Sequence, residues 1–169
     1  MGNFFKNNWV HFVAIGIFLL MAAIVFNPAI NGMVPQMHDI TTHRSSAKET
    51  QDFKKLTGED TYWTSRVFSG MPTYQISAEY PRGVPRFVFG ALTLNLPYPI
   101  NLLFLLFVSL YILLQCLRID PWIAITMAVV FGCFSHFLII MGAGHTSKTH
   151  AMAYIPAILG TFYMVLQSK

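Results

Sequence analysis

Residues 9–26 read WVHFVAIGIFLLMAAIVF, and this stretch decides the fold class. It is apolar apart from His11, and a helix needs about 20 such residues to cross the ~30 Å hydrocarbon core of a bilayer. Trp9 suits the membrane interface, where indole rings anchor helix ends. No small-residue cleavage site precedes Asn27 and Pro28, so the stretch predicts a retained transmembrane helix and not a cleaved signal peptide.

The composition of the whole chain indicates the same class. Hydrophobic residues make up 54% of the 169 residues, charged residues only 11%, and the apolar residues gather in blocks. Because the Lys and Arg residues behind the net charge of +4 are scattered, we expect no nucleic-acid partner. Cys116 and Cys133 lie in apolar runs, where thiols behave as small hydrophobes, so we expect no disulfide.

Three further apolar runs follow the first, at residues 99–117, 122–141 and 151–166. We therefore predict an all-α integral membrane protein with about four transmembrane helices. Asp120 as N-cap and Pro121 as first helical residue predict a tight turn, so the second and third spans form a hairpin. The last run reaches only about 24 Å as a helix. Either it begins earlier, within polar residues 142–150, or the chain is the N-terminal piece of a longer protein, as we expect.

Residues 27–98 form the one predicted aqueous region of any size. They hold seven of the eleven Lys and Arg and six of the seven Asp and Glu. The chain thus divides into residues 1–26, with the N-terminus and first span, the loop 27–98, and the spans of 99–169. Lys6, Arg118 and Lys169 fall on one side, which the positive-inside rule places in the cytoplasm. The N-terminus is then cytoplasmic and the loop extracytoplasmic.

The loop itself has two predicted parts. Residues 40–56 lack helix breakers and precede Gly58, which predicts a helix with a glycine C-cap. A capping-box match between Ser46 and Glu49 allows the start to lie near Ser46 instead. Residues 62–86 alternate aromatic residues with turn formers, which predicts irregular chain and short helices at the membrane interface.

Asp39 lies just beyond the first span, between His38 and His43. An acid where the chain leaves the membrane can meet a lipid-borne substrate from one side and a water-borne acceptor from the other. Asp is also a favoured N-cap residue, so Asp39 can serve the following helix instead. The two roles can coexist.

Several stretches together resemble the N-terminal part of bacterial YfhO-type membrane proteins, such as those of Bacteroidetes. They are FFKNNW at 4–9, QMHDI at 36–40, KKLTGE at 54–59, SGMPTY at 69–74 and GHTSKTHA at 144–151. The resemblance implies a GT-C-like architecture in the bacterial cytoplasmic (inner) membrane. It also implies glycosyltransferase activity, with a sugar passing from a polyprenyl-phosphate donor to a cell-envelope acceptor outside that membrane. In that superfamily a carboxylate in the first external loop serves the reaction, and Asp39 is the matching position.

Such a reaction needs a base for the acceptor hydroxyl and cations for the departing phosphate. Asp39 is the predicted catalytic base. The predicted phosphate-binding residues are His145, Lys148, His150 and, in reserve, Arg44, although Lys148 can equally be the charge that ends a span. A divalent metal at His38, Asp39 and His43 is a weaker alternative, because their spacing matches no closed site. We therefore expect no cofactor.

Two other functions stay open from the sequence. A transporter or flippase would use intramembrane polar residues such as His136, but the predicted spans hold few charges, which disfavours a coupled transporter. A non-catalytic assembly factor for cell-envelope glycans would use the aromatic loop as a docking surface.

Overall fold

A computed structural model describes residues 2–33, 36–76 and 84–168 of the chain. The protein is mostly helical, with 74% of the described residues in helices and 3% in strands. It divides into two compact units, Met1–Pro35 with Val88–Lys169 and, separately, Gln36–Phe87. The all-α fold is therefore confirmed, and the first unit contains the apolar runs.

The first unit is built around one buried helix. Its elements are α1 (Gly2–Val25), α2 (Asn27–Ile30), α4 (Val84–Leu92, which begins in the second unit), α5 (Ile100–Cys116), α6 (Pro121–Gly132), α7 (Ser135–Ala143) and α8 (Thr146–Gln167). Helix α5 packs against α1, α6 and α8, and it is apolar on all sides, as expected of an enclosed helix.

Among the described residues, two helices are long and apolar enough to cross a membrane: residues Asn8–Val25 of α1, and α8. The pair α6 and α7 makes a third if its 47° bend lies within one span. Helix α5 is apolar but has only 17 residues. The membrane class predicted from the sequence is thus supported by helix length and composition, while four spans remain a prediction.

The turn between α5 and α6 is as predicted. Asp120 is the N-cap of α6, and its Oδ1 accepts hydrogen bonds from the backbone N–H groups of Trp122 at 2.9 Å and Ile123 at 3.4 Å. Pro121 occupies the first turn of the helix, where its missing N–H costs nothing.

The helices differ from the apolar runs at two places. The run 122–141 is interrupted, because Phe134 has an extended backbone (φ −62°, ψ 135°) that breaks the helical hydrogen-bond ladder. The last helix begins at Thr146, within the polar segment, in agreement with the first of the two alternatives for the last run. Polar residues are compatible with a first helical turn, and the 22 residues of α8 extend about 33 Å as a helix.

Helices α5 and α8 approach each other closely at two points. Pro156 interrupts the hydrogen-bond ladder of α8, and the nearby N–H of Ala157 donates instead to Ser109 Oγ of α5 at 2.9 Å. One turn later, a Cβ on Gly160 would lie 2.9 Å from the Cα of Leu113. The two backbones can therefore meet only because residue 160 has no side chain.

The second unit consists of helix α3 (His38–Thr57), strands β1 (Trp63–Thr64) and β2 (Met71–Pro72), and a 3-10 turn at Thr73–Gln75. The strands pair antiparallel, with Trp63 opposite Pro72 and Thr64 opposite Met71. Residues 77–83 of the predicted irregular segment lie outside the described residues. The predicted glycine cap is confirmed, since Gly58 (φ 77°) donates its N–H to the Lys54 carbonyl at 2.9 Å.

The start of α3 corrects both predicted N-caps. Met37 is the N-cap, without a side-chain cap hydrogen bond, and the helix begins at His38. Asp39 is therefore the second helical residue, where its charge interacts favourably with the positive end of the helix dipole. Ser46 and Glu49 lie in the middle of the helix, so they form no capping box.

Candidate functional site

The candidate site begins with a polar stripe on α3. Asp39, Thr42, His43 and Ser46 are spaced by three, four and seven residues, and this spacing places them on one side of a helix. Asp39 is half-buried there. The helix therefore presents a carboxylate, an imidazole and two hydroxyl groups in the same direction.

The chain after β1 supplies the opposite wall. Together with the polar stripe, it borders an open groove of about 310 Å³, which we call the Asp39 groove. Its apolar wall consists of Val67, Phe68, Met71 and Ile76. The volume is at the lower end of the range of about 300–1,000 Å³ that is typical of small-ligand sites. One side of the groove can form hydrogen bonds, and the other is hydrophobic.

Glu49 attaches the apolar wall to the helix. Its carboxylate accepts hydrogen bonds from the Thr64 hydroxyl at 2.5 Å and from the N–H groups of Ser65 at 3.1 Å and Arg66 at 3.2 Å. These bonds, that of Thr64 first, lower the pKa of Glu49 from its usual value of 4.5. They stabilise the carboxylate and outweigh its partial desolvation. Glu49 thereby holds the loop that carries Phe68.

The tip of this loop has an unusual backbone. Phe68 (φ 52°), Ser69 (φ 60°) and Gly70 (φ 120°) are all left-handed, a conformation that residues with a Cβ rarely adopt. Gly70 lies under the ring of Trp63, where a Cβ would be 2.9 Å from the indole. The Phe68 side chain is 88% exposed at the rim of the groove. Backbone strain of this kind is typical of binding sites.

The other candidates on α3 do not join the groove. Arg44 is exposed and is not one of the lining residues. His38 is adjacent to Asp39 in sequence, so it points about 100° away around the helix. Asp39 and His43 lie one turn apart, but the helix does not bring the three predicted metal ligands to one face. No group of three or more His, Cys, Asp or Glu suited to a metal occurs among the described residues.

The other predicted phosphate-binding residues, His145, Lys148 and His150, lie in the first unit, at the start of α8. His145 is the N-cap residue, and its carbonyl accepts bonds from the Thr149 N–H and hydroxyl, both at 3.0 Å. Lys148 is exposed in the first turn, one turn from His145. The start of α8 therefore combines a cation with the positive end of a helix dipole, an arrangement that favours anions.

His150 does not belong with these two residues. It lies about 200° around the helix from Lys148. Its Nδ1 is 2.8 Å from the Thr146 carbonyl oxygen and therefore donates a hydrogen bond to it. Its ring packs against Phe89, with 4.6 Å between ring centroids. His150 is thus engaged within the first unit, and the phosphate-binding prediction is better limited to His145 and Lys148.

Two histidines in the apolar helices have different surroundings. His136 is exposed at the start of α7, and its ring contacts that of Phe137. His11 instead shares a 2.7 Å hydrogen bond between its Nδ1 and the hydroxyl of Tyr111 on α5. His11 is thus hydrogen-bonded to a neighbouring helix.

The Asp39 groove and the start of α8 belong to different compact units. Among the described residues, the groove is where a carboxylate, hydroxyl groups and an apolar wall line one cavity. No family model, curated protein or solved structure matches this chain. The geometry of the groove therefore carries the functional argument.

Proposed function

We propose that this protein is a membrane glycosyltransferase-like protein. It would transfer a sugar from a polyprenyl-phosphate donor to a cell-envelope acceptor outside the cytoplasmic membrane. The observation that carries the proposal is the position of Asp39 in a groove with one polar and one apolar wall. The YfhO-like stretches and the GT-C-like architecture that they imply agree with this proposal.

The groove residues have a defined part in this reaction. The carboxylate of Asp39 takes the proton of the acceptor hydroxyl as that oxygen forms a bond to the anomeric carbon of the donor. The bond from that carbon to the phosphate oxygen breaks, and the polyprenyl phosphate leaves with the electron pair. Thr42, His43 and Ser46 hydrogen-bond the acceptor, while Phe68 covers the apolar face of its sugar ring.

The membrane helices have a defined part as well. We propose that α1, α5, the bent pair α6–α7, and α8 each cross the membrane, with the N-terminus in the cytoplasm. The start of α8 then lies on the outer side, as the groove does. Lys148 and the N-terminal dipole of α8 stabilise the negative charge of the leaving phosphate.

The Asp39→Asn variant tests this function. Asparagine keeps the size of the side chain but cannot take a proton, so sugar transfer should fall by about 100- to 10,000-fold. The loss of the first-turn charge should cost only about 0.3–1 kcal/mol of stability. Sugar transfer from a lipid-linked donor would be measured in membranes, and thermal unfolding with the protein purified in detergent.

The matched control is Asp52→Asn, which makes the same change on the same helix outside the groove. It should keep wild-type transfer. Transfer at the wild-type rate by Asp39→Asn would remove Asp39 as the base and, with it, the enzyme proposal. An equal loss in both variants would show that the charge of α3, and not the groove, matters.

An assembly factor for cell-envelope glycans is the second candidate, and one observation favours it. Tyr62, Trp63, Phe68 and Tyr74 all expose most of their side chains on the second unit. Exposed aromatic residues are enriched at protein interfaces. If the protein is an assembly factor, the double variant Tyr62→Ser, Tyr74→Ser would abolish envelope glycan assembly in cells. Asp39→Asn would leave that assembly intact.

A further inference from the structure

The turn after α5 contains an arginine where glycine is usual. The Arg118 N–H donates to the Gln115 carbonyl at 2.9 Å, and the Ile119 N–H donates to the Leu114 carbonyl at 3.0 Å. This pair of bonds is the Schellman motif, whose C′ residue is left-handed and most often glycine. Arg118 fills that position with φ 59°. Because this backbone conformation favours glycine, the presence of an arginine side chain at this position needs another explanation.

Arg118 borders a cavity of about 380 Å³ between the C-terminal ends of α5 and α8, which we call the Arg118 cavity. Helix α8 contributes Tyr163, Gln167 and Ser168 to its lining. The Gln167 Nε2 donates to the Tyr163 hydroxyl at 3.3 Å, which leaves the Tyr163 proton able to donate further. The Ser168 hydroxyl already donates to the Val165 carbonyl at 2.8 Å. The cavity thus gathers a guanidinium, a phenol and an amide that can still donate hydrogen bonds.

An anionic ligand at this end of the first unit needs a cation in order to bind. Helix α5 ends here, and helix C-termini carry partial negative charge. Among the described residues, Arg118 forms no ion pair within 4.0 Å. A guanidinium remains charged at all physiological pH values and can hold a phosphate with two parallel hydrogen bonds. Arg118 therefore offers both the charge and the geometry for a phosphate.

Lipid chains can reach the same place. Leu117 and Met164 are exposed apolar residues that line the cavity. In a membrane such side chains contact acyl chains, while Arg and Tyr at a helix end meet the headgroups. A ligand with a phosphate in the cavity and an apolar tail along α8 would satisfy both regions.

We infer that the Arg118 cavity binds the phosphate of an anionic phospholipid, with Arg118, Tyr163 and Gln167 as its donors. The site is independent of the proposed sugar transfer, because it involves neither the Asp39 groove nor the start of α8. Anionic lipids are recognised in this way by basic pockets between helices at the cytoplasmic face. The strained backbone of Arg118 is retained because glycine could not supply the charge.

The test uses the purified protein in nanodiscs of phosphatidylglycerol and phosphatidylcholine in equal amounts. Native mass spectrometry should detect a retained phosphatidylglycerol on the wild-type chain. Arg118→Gln should weaken retention by about 10- to 100-fold, as expected for the loss of a charge-assisted hydrogen bond. Tyr163→Phe, which removes one hydroxyl, should weaken it less. Lys55→Gln, an exposed cation of the second unit, is the control and should retain the lipid as the wild type does.

A second arm separates a lipid from soluble phosphate. Inorganic phosphate, added to the wild type in nanodiscs of phosphatidylcholine alone, should not raise the melting temperature of the protein. Including phosphatidylglycerol in the nanodiscs should raise it. An equal rise with inorganic phosphate would assign the cavity to a soluble anion and overturn the lipid proposal. Equal retention of the two lipids, or full retention by both cavity variants, would also overturn it. Arg118→Lys keeps the charge and should retain an intermediate amount of lipid if Arg118→Gln does not fold.

Discussion

At the residue scale, Glu49 organises the candidate site although it is not one of the lining residues. Three hydrogen bonds to residues 64–66 lower its pKa, so the charged form is the one that holds the loop. A group with a lowered folded-state pKa stabilises the fold above its unfolded-state pKa. That stability is lost as the pH falls through the lower value.

The pH dependence of the Glu49→Gln variant tests this role. Glutamine cannot be ionised, so the variant should melt below the wild type at pH 7. The difference should shrink as the pH falls through the lowered pKa of Glu49, where the wild-type carboxylate becomes protonated. Trp63 fluorescence would follow unfolding in a Trp9→Phe, Trp122→Phe background, where it is the remaining indole.

Glu59→Gln is the control for that measurement, because Glu59 is exposed on the same unit. It should melt as the wild type does across the pH range. A Glu49→Gln difference that persists unchanged at low pH would show that the loop is held by shape and not by charge.

The same residues show what the sequence can predict at this scale. Asp39 was identified because its position beyond an apolar run is visible along the chain. The role of Glu49 was missed, since its partners lie 15 to 17 residues away and a local capping box explained it as well. Phe68 and Ile76 were missed for the same reason, because a wall formed by the return of a loop leaves no periodic signal.

At the element scale, the contact between α5 and α8 depends on small residues. Gly160 lies directly against the backbone of Leu113, and Ser109 binds the N–H of Ala157 four residues after the buried Ala153. Small residues let membrane helices approach closely, where dispersion forces and hydrogen bonds stabilise them. The close approach therefore fixes α8 on α5.

Replacing Gly160 by alanine tests this packing. The added Cβ would clash with the Leu113 backbone, which cannot move aside as a flexible side chain can. We expect a loss of about 1–3 kcal/mol, although alanine by itself favours a helix over glycine by about 0.5–1 kcal/mol. Thermal unfolding in detergent would measure the change.

Gly142→Ala is the matched control, because nothing lies within 4 Å of a Cβ at that position. It should leave the melting temperature unchanged or raise it slightly. If Gly160→Ala were as stable as Gly142→Ala, the close approach of α5 and α8 would not contribute to stability.

Helix ends were predictable where a side chain or glycine marks them and unpredictable elsewhere. Asp120 with Pro121 and Gly58 were located correctly, because capping depends on residues next to the helix end. The break at Phe134 was not predicted, and the start of α8 was narrowed only to residues 142–150, since neither helix has a side-chain cap.

At the scale of the whole molecule, the chain consists of a helical membrane unit and a separate polar unit that carries the Asp39 groove. Composition alone was sufficient to predict the membrane class, since apolar blocks of this length have few other uses. Which side of the membrane each unit occupies depends on a few charges, among them Arg118. The proposed reaction requires the groove on the outer side, where a lipid-linked donor presents its sugar.

Cysteine accessibility tests that claim most directly. Cys116 and Cys133 would be replaced by alanine, and single cysteines introduced at Ser45, exposed on α3, and at Leu117, exposed after α5. An impermeant thiol reagent added to intact cells or spheroplasts should label the cysteine at position 45 and not that at 117, which should react after permeabilisation. Labelling at 117 with protection at 45 would place the groove in the cytoplasm and contradict the account.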